Sequence, residues 1–323
     1  MALTIIRYLR PGQTRSDTPQ WGVKFGDKLA PIDGDFPTTG DLVKYGLDEA
    51  RKKTQAHAEH LLSQLDIVAP VTSNQQFVCQ GINYESHARE SGMDPDKLPF
   101  NLIFTKASSC LSGPYDDVIK PSHVKLLDYE IELGLIVKTD IKHAIEVRED
   151  NLHEYLAAIT IVNDVSARDV QLPQGQFYKG KSYRTFGPVG PYLLVLEPAE
   201  WRRLSELRMS LEVNGKVRQQ DYCGNMLTKP PATLSELSGL QNLYAGDLIA
   251  TGTPSGCAAH VPGRLAMALV KMFVPDTVKW KAFIKGGSSN PNYLQGNDVM
   301  TLSIRTDDGS LDLGTQRTVI VNQ

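Results

Sequence analysis

Asp128-Tyr129-Glu130-Ile131-Glu132-Leu133-Gly134-Leu135-Ile136-Val137 is the stretch on which the fold turns. Side chains alternate between the faces of a strand, so Asp128, Glu130 and Glu132 form one row and Tyr129, Ile131 and Leu133 the other. Like charges side by side repel, and the apolar run that follows carries the strand into a core. Carboxylates in such a place need a compensating cation. A solvent-exposed acidic edge, Lys or Arg partners on a neighbouring strand, and a bound metal ion each account for the row, and alternation alone does not choose among them. The next apolar strand, Ala157 to Val162, runs into Asn163-Asp164, where an acid is well placed to complete a site. Two glutamates and an aspartate, with no His or Cys, form a hard-oxygen set suited to Mg²⁺, Mn²⁺ or Ca²⁺ rather than zinc. Three protein ligands would leave about three octahedral positions for water and substrate.

The sequence on either side is mostly strand-like. Phe77 to Gly81, Asn101 to Thr105, Tyr192 to Leu196, Leu207 to Val213, Leu248 to Thr251, Val299 to Arg305 and Thr318 to Val321 all read as strands. Asn214-Gly215 is a hairpin dipeptide, with Lys216 to Gln219 as the return strand. Helical patterns are few: 83–91, 148–156, 201–206 and 232–243. Many strands with few helices between them predict a β-rich α+β fold, not a doubly wound one. Upstream, short strands with a hairpin at Gly26-Asp27 lead to a helical pattern over 39–65, which Ala69-Pro70-Val71 breaks. The expected organisation is a small N-terminal α/β domain over 1–70 and a larger domain over 71–323.

Composition excludes little and suggests an ordinary globular protein. The chain has 323 residues, a formal net charge of −3 and 41% hydrophobic residues, enough for a sizeable core. The near-neutral charge points to neither a nucleic-acid nor a membrane-surface partner. Cys79, Cys110, Cys223 and Cys257 form no C-x-x-C pair, so a disulfide framework or zinc site is not expected, and a reducing cytoplasm is. The N-terminus lacks the apolar run of a signal peptide, and no stretch reaches the length of a membrane span.

One motif misleads. Gly175-Gln176-Phe177-Tyr178-Lys179-Gly180-Lys181-Ser182 satisfies G-x-x-x-x-G-K-[ST], the phosphate loop of nucleotide hydrolases. That loop needs a buried strand before it and a helix after it. Here Pro173 precedes, and Gly187-Pro188 and Gly190-Pro191 follow, which cannot continue a helix. A nucleotide hydrolase is thus a remote alternative.

Five segments, in one order, resemble the fumarylacetoacetate hydrolase family. Glu130-Ile131-Glu132 resembles its E-x-E metal motif, and Asn163 to Gln171 its N-D-x-[ST]-A-R-D-x-Q segment. Gly180-Lys181-Ser182 with Gly187-Pro188-Val189-Gly190-Pro191, Thr251-Gly252-Thr253-Pro254-Ser255-Gly256, and Gly81-Ile82-Asn83-Tyr84 with His87 and Glu90 match three more. The resemblance covers residues 77–256 and implies a mixed β-roll fold, a homodimer and a divalent cation, Mg²⁺ or Mn²⁺, held by Glu130, Glu132 and Asp164. It implies Lys181 as a catalytic cation and Gln171, Thr253, Lys106 and Tyr84 as substrate contacts. His87 and Glu90, three apart on a short helix, share a face; a carboxylate beside an imidazole orients it and raises its basicity, which suits a general base. The reaction so implied is hydrolysis of a C–C bond in an acylpyruvate-type 2,4-dioxo acid such as fumarylpyruvate, maleylpyruvate or fumarylacetoacetate. Decarboxylation or keto–enol isomerisation of a 2-oxo acid would use the same apparatus. The chain departs from the family pattern at 257–295, an insertion with a helical stretch at Leu265 to Val270 and an expected flexible loop at Gly286 to Pro291.

Overall fold

A computed structural model describes residues 2–98, 100–259 and 276–323. Its centre is a mixed sheet in which Ile131–Val137 lies between Leu156–Asn163 and Leu248–Ala250, both antiparallel to it. Leu248–Ala250 is followed by Phe77–Gly81, parallel, and Leu102–Lys106. Every residue of Ile131–Val137 and Leu156–Asn163 is buried. This is why these strands read as apolar runs rather than as alternating ones. The β-rich α+β architecture is as expected.

Leu3–Leu9 pairs with Leu193–Val195, which pairs in turn with Leu156–Asn163. The N-terminal hairpin Gln20–Phe25 and Lys28–Pro31 therefore extends the same central sheet. Ile5, Trp21 and Val23 share one core cluster with Leu133, Ile159 and Ile249. The helical pattern at 39–65 is realised only in its first part, as Thr39–Asp41, a π-helical turn Leu42–Gly46, and Leu47–Arg51. Thr54 is extended, and its N–H donates to His57 Nδ1, which stops the helix. His60–Leu61 then pairs with Lys28–Pro31 at the sheet edge; tertiary pairing has overridden the local pattern.

A second sheet runs in the order Lys216–Tyr222, Leu207–Val213, Val299–Thr306, Asp312–Asn322 and Val118–Lys120. The hairpin at Asn214-Gly215 is as read, both residues at positive φ (54° and 75°). The four expected helical segments are present, three of them shorter: Glu85–Glu90, Leu152–Tyr155 and Pro230–Leu240 with proline at its start, while the fourth, Glu200–Glu206, is a 3₁₀ stretch. Two short helices, Arg168–Gln174 and Phe177–Lys181, were not expected. Pro173 hides the first, and Gly175, at φ 63°, caps it.

The expected helix at Leu265 to Val270 lies outside the described residues. Gly286 and Gly287, expected in a flexible loop, instead end the helix Asp276–Gly287. Gly287 lies against Leu126, where an added Cβ would sit 2.8 Å from its methyl carbons. Phe283 and Ile284 pack on the main core, and Asn290 donates to the Ala258 carbonyl at 3.0 Å.

Candidate active site

The acidic stretch is not one continuous strand. Leu127–Asp128 pairs with Ser166–Ala167, and regular pairing resumes at Ile131 with Asn163. The break at Tyr129-Glu130 changes the expected row. Asp128 Oδ2 and Glu130 Oε1 both accept from Arg168, from Nε at 2.8 Å and an Nη at 2.5 Å. Asp128 also accepts N–H groups of Ala258 and Ala259, so it fastens the following loop. It is a structural anchor, while Glu130, Glu132 and Asp164 offer oxygen atoms all within 4.8 Å of one another. All three are buried, which rules out a solvent-exposed acidic edge.

The cations come from the two unexpected helices and one strand end. Lys181 Nζ donates to Glu130 Oε2 at 2.7 Å, Asp164 Oδ2 at 2.6 Å and Ser166 Oγ at 2.7 Å. Lys106 Nζ reaches Asp164 Oδ1 at 2.5 Å and the Phe186 carbonyl at 2.7 Å. Gly180 explains how Lys181 reaches so deep. An added Cβ there would meet Gln171 atoms at 2.7–2.9 Å, so only glycine lets Phe177–Lys181 close against Arg168–Gln174. The loop-like motif is thus a helix cap followed by a helix–helix contact. No strand precedes it, and the nucleotide-hydrolase alternative falls with that geometry.

Four buried carboxylates (Asp128, Glu130, Glu132, Asp164) face three buried cations (Lys106, Arg168, Lys181). Burial would push the Glu130 carboxyl up, but Lys181 and Arg168 outweigh it and hold it at about 2. The lysine ammonium groups, despite the cost of burial, are held above their usual range by Asp164, joined at Lys181 by Glu130. Glu132 is different. Burial, then Asp164 and Glu130, push its carboxyl well above the usual range, and among the described residues its one hydrogen bond is from the Gly252 N–H at 2.9 Å. Gly252 has φ 85° and lies where a Cβ would be 2.8 Å from Asn83 Cβ, so the turn demands glycine. Three hard oxygen donors with one negative charge left uncompensated are what a divalent cation would satisfy. The residues present fit such an ion; Glu130, Glu132 and Asp164 would hold it.

A cavity of about 360 Å³ opens onto this cluster. Glu130, Glu132, Lys181, Gln171, Thr253 and His87 border it, as expected, and so does Arg168. His87 Nδ1 lies 3.7 Å from Glu90 Oε2, too far for a hydrogen bond, and has no hydrogen-bond partner among the described residues. Glu90 accepts the Gly256 N–H at 3.0 Å, so one turn supplies N–H groups to both Glu132 and Glu90.

Two expected substrate contacts are corrected. Tyr84 is buried in the core with its hydroxyl 3.8 Å from Met209 Sδ, and it does not border the cavity. Lys106 lies behind Asp164 as its counter-ion rather than facing substrate. The Thr253 hydroxyl donates to the Ile131 carbonyl at 2.9 Å and accepts from Gln219 Nε2 at 2.9 Å, so it is already engaged within the fold. Gln219 was missed: buried on the second sheet, it bridges the Ile131 N–H, Thr253 Oγ1 and the Pro254 carbonyl. Nothing in its polar neighbourhood Arg218-Gln219-Gln220 marks it in sequence. Arg168 was legible only as a motif letter, though its spacing from Gln171 puts both on one helix face, and they pair at 2.9 Å. Asn83 is structural, tying its loop to the Thr251 and Thr228 carbonyls.

The mixed sheets and the buried acid–lysine cluster define a class, enzymes built around an E-x-E carboxylate pair. A profile described as Fumarylacetoacetate (FAA) hydrolase C-terminal matches residues 76–321, and the chain belongs to the fumarylacetoacetate hydrolase family. The chain is 35% identical over 195 residues to oxaloacetate tautomerase Fahd2a, mitochondrial, of Rattus norvegicus, covering 60% of each chain. It is 35% identical over 199 residues to oxaloacetate tautomerase YisK of Bacillus subtilis, covering 60% of this chain and 64% of that one. The matched part thus spans less than two thirds of those relatives. Among solved structures, fumarylacetoacetate hydrolase from Exiguobacterium antarcticum superposes with a TM-score of 0.74 at 25% identity, over 99% of this chain and all of that one. Among the described residues, no helix is long and apolar enough to cross a membrane.

Proposed function

We propose that this chain is a divalent-metal-dependent hydrolase that cleaves an acylpyruvate-type 2,4-dioxo acid to pyruvate and a carboxylic acid. One observation carries the reading: a single cavity is bordered by the His87 imidazole, the buried Lys181 and two of three convergent carboxylates, Glu130 and Glu132, with the third, Asp164, directly behind them. A cation such as Mg²⁺ or Mn²⁺ bound by Glu130, Glu132 and Asp164 would supply Lewis-acid polarisation of the 2-oxo group. The chain's own groups do the rest. His87, with the Glu90 carboxylate 3.7 Å from its Nδ1, takes a proton from water. The hydroxide so formed attacks the C4 carbonyl. The C3–C4 bond breaks, its electron pair moves toward C3 and the 2-oxo oxygen, and the carboxylic acid leaves. Lys181 places positive charge where that negative charge develops. A proton returned to C3 gives pyruvate, so one water is consumed per turnover.

A second reading, 2-oxo acid keto–enol tautomerisation, is favoured by the names of the two relatives at 35% identity. It needs His87 only to move a proton at C3. Product analysis separates the two. Acylpyruvates and oxaloacetate are assayed with Mg²⁺ and Mn²⁺, with and without EDTA, following pyruvate, carboxylic acid, CO₂ and the enol absorbance. EDTA-sensitive pyruvate release from an acylpyruvate supports the hydrolase. Accelerated enol–keto exchange of oxaloacetate with no acylpyruvate cleaved replaces it by the tautomerase.

A further inference from the structure

We infer that the end of this cavity away from the carboxylates receives an uncharged, apolar acyl group, and that Ile82 sets how long that group can be. The inference rests on the proposed acylpyruvate reading and names its substrate class. The cavity wall can be traced residue by residue. Lys181 Nζ lies 5.4 Å from the centre of the Phe104 ring. Phe104 meets Phe177 edge to face, ring centres 5.0 Å apart. The Phe177 ring in turn comes within 3.5 Å of where a Cβ on Gly81 would stand. Ile82 follows, and Met93 and Leu172 complete this side. The wall therefore runs from the catalytic lysine to Ile82 through aromatic carbon.

Charge argues the same way. Among the described residues, Arg168 and Lys181 are the cations bordering the cavity, and both are already paired with buried carboxylates. Among the described residues a second substrate carboxylate would meet no unpaired Lys or Arg, and burying an unpaired charge is strongly unfavourable. An alkyl or aryl group instead gains from leaving water.

Ile82 is an unusual residue for its place. Its φ is 55°, the left-handed region that β-branched side chains rarely adopt. It borders this cavity and a second one of about 320 Å³, where Pro95, Leu98, Phe100 and Leu227 stand on the far side. With Gly81, which also borders both, the strained residue forms the partition between them, and Ile82 supplies its side chain. Such strain persists only where the surroundings enforce it, and it clusters at ligand clamps.

N-alkyl oxamates test this directly, because they present a metal-chelating 2-oxo acid head with a tail of chosen length. Binding to the Mn²⁺-loaded protein is measured by calorimetry. N-butyl oxamate is expected to bind roughly 10- to 60-fold tighter than N-methyl oxamate, up to about fourfold per methylene. N-(3-carboxypropyl) oxamate should bind at least about tenfold more weakly than N-butyl. N-hexyl should gain nothing over N-butyl in the parent protein. It should gain several-fold in Ile82→Gly, and in Ile82→Asn, whose side chain tolerates positive φ. Affinity that is flat with tail length, a carboxylated tail that binds as well as butyl, or no oxamate binding at all overturns the inference. Parallel assays keep the two readings apart. If the tail series holds while neither acetylpyruvate nor butyrylpyruvate is cleaved, the apolar subsite stands and the hydrolase reading falls. If fumarylpyruvate is cleaved in preference to butyrylpyruvate, the hydrolase stands and the apolar subsite falls.

Discussion

Every residue of Ile131–Val137 and Leu156–Asn163 is buried, whereas the six-residue helix Glu85–Glu90 that carries His87 buries only Ala88. The two regions face one cavity but are held by different physics. The floor is fixed by paired strands, with Glu132 opposite Val162 in register, and by a network of charged hydrogen bonds around Asp164 and Glu130. The helix above it has no side-chain N-cap, and His87 and Glu90 stand 3.7 Å apart. Floor residues are committed to the fold as well as to a cation. His87 is committed to neither, so its geometry is free to tighten when a ligand arrives, as catalytic hydrogen bonds often do.

That difference is broken most severely at Asp164. Asp164→Asn leaves the buried Lys106 without an ion-pair partner among the described residues and removes one of the two carboxylates that the buried Lys181 meets. Removing one partner of a buried ion pair costs about 3–5 kcal/mol. Urea denaturation should show a loss of that size, or no soluble protein at all; a variant of parental stability would mean the lysines find other partners. His87→Gln touches the other region. Turnover should fall about 10²- to 10⁴-fold, with the denaturation midpoint and the Mn²⁺-induced rise in Tm both kept. If the midpoint falls in step with activity, His87 is part of the fold instead.

These two regions also differ in how far they were legible in sequence. Glu130, Glu132 and Asp164 stand at fixed offsets on apolar strands, and strand alternation brings such residues together without knowledge of the rest of the fold. The network that neutralises them was not legible. Arg168 and Lys181 lie on two helices hidden by Pro173, Gly175 and Gly180, and helix pairing depends on the Gly180–Gln171 contact, which is tertiary. The expected acidic row failed for a similar reason: the turn at Tyr129-Glu130 shifts Asp128 into a separate two-stranded pairing. Gln219 comes from the second sheet, and no local pattern announces a contact made 88 residues away.

Within the floor, Glu132 and Asp164 make a sharper contrast. Among the described residues Asp164 ion-pairs with two lysines and Glu132 with none, so Glu132→Gln removes a carboxylate whose charged form burial, Asp164 and Glu130 together disfavour. The metal-free variant should therefore be as stable as the parent or more so, and the metal effect should vanish. For the parent, Mn²⁺ at about 100 times its Kd adds roughly 2.7 kcal/mol. Thermal melts with and without Mn²⁺ check this. A Glu132→Gln protein that still gains the parental increment would remove Glu132 from the ligand set.

The smallest effect is expected at Tyr84, and it separates a motif letter from a site residue. Tyr84 neighbours the His87 helix and belongs to the same matched segment, yet its hydroxyl points into the core toward the Met209 sulfur at 3.8 Å. Sulfur is a weak acceptor, so Tyr84→Phe should lower stability by less than about 1 kcal/mol. Since the ring is kept and the cavity lining does not include it, kcat/KM should stay within about twofold. A hydroxyl that hydrogen-bonded the substrate would behave otherwise: its loss typically costs about 0.5–1.5 kcal/mol, or more if it left a charged group unpaired. A tenfold fall in kcat/KM at unchanged stability would therefore return Tyr84 to the site and require the His87 helix to turn when substrate binds.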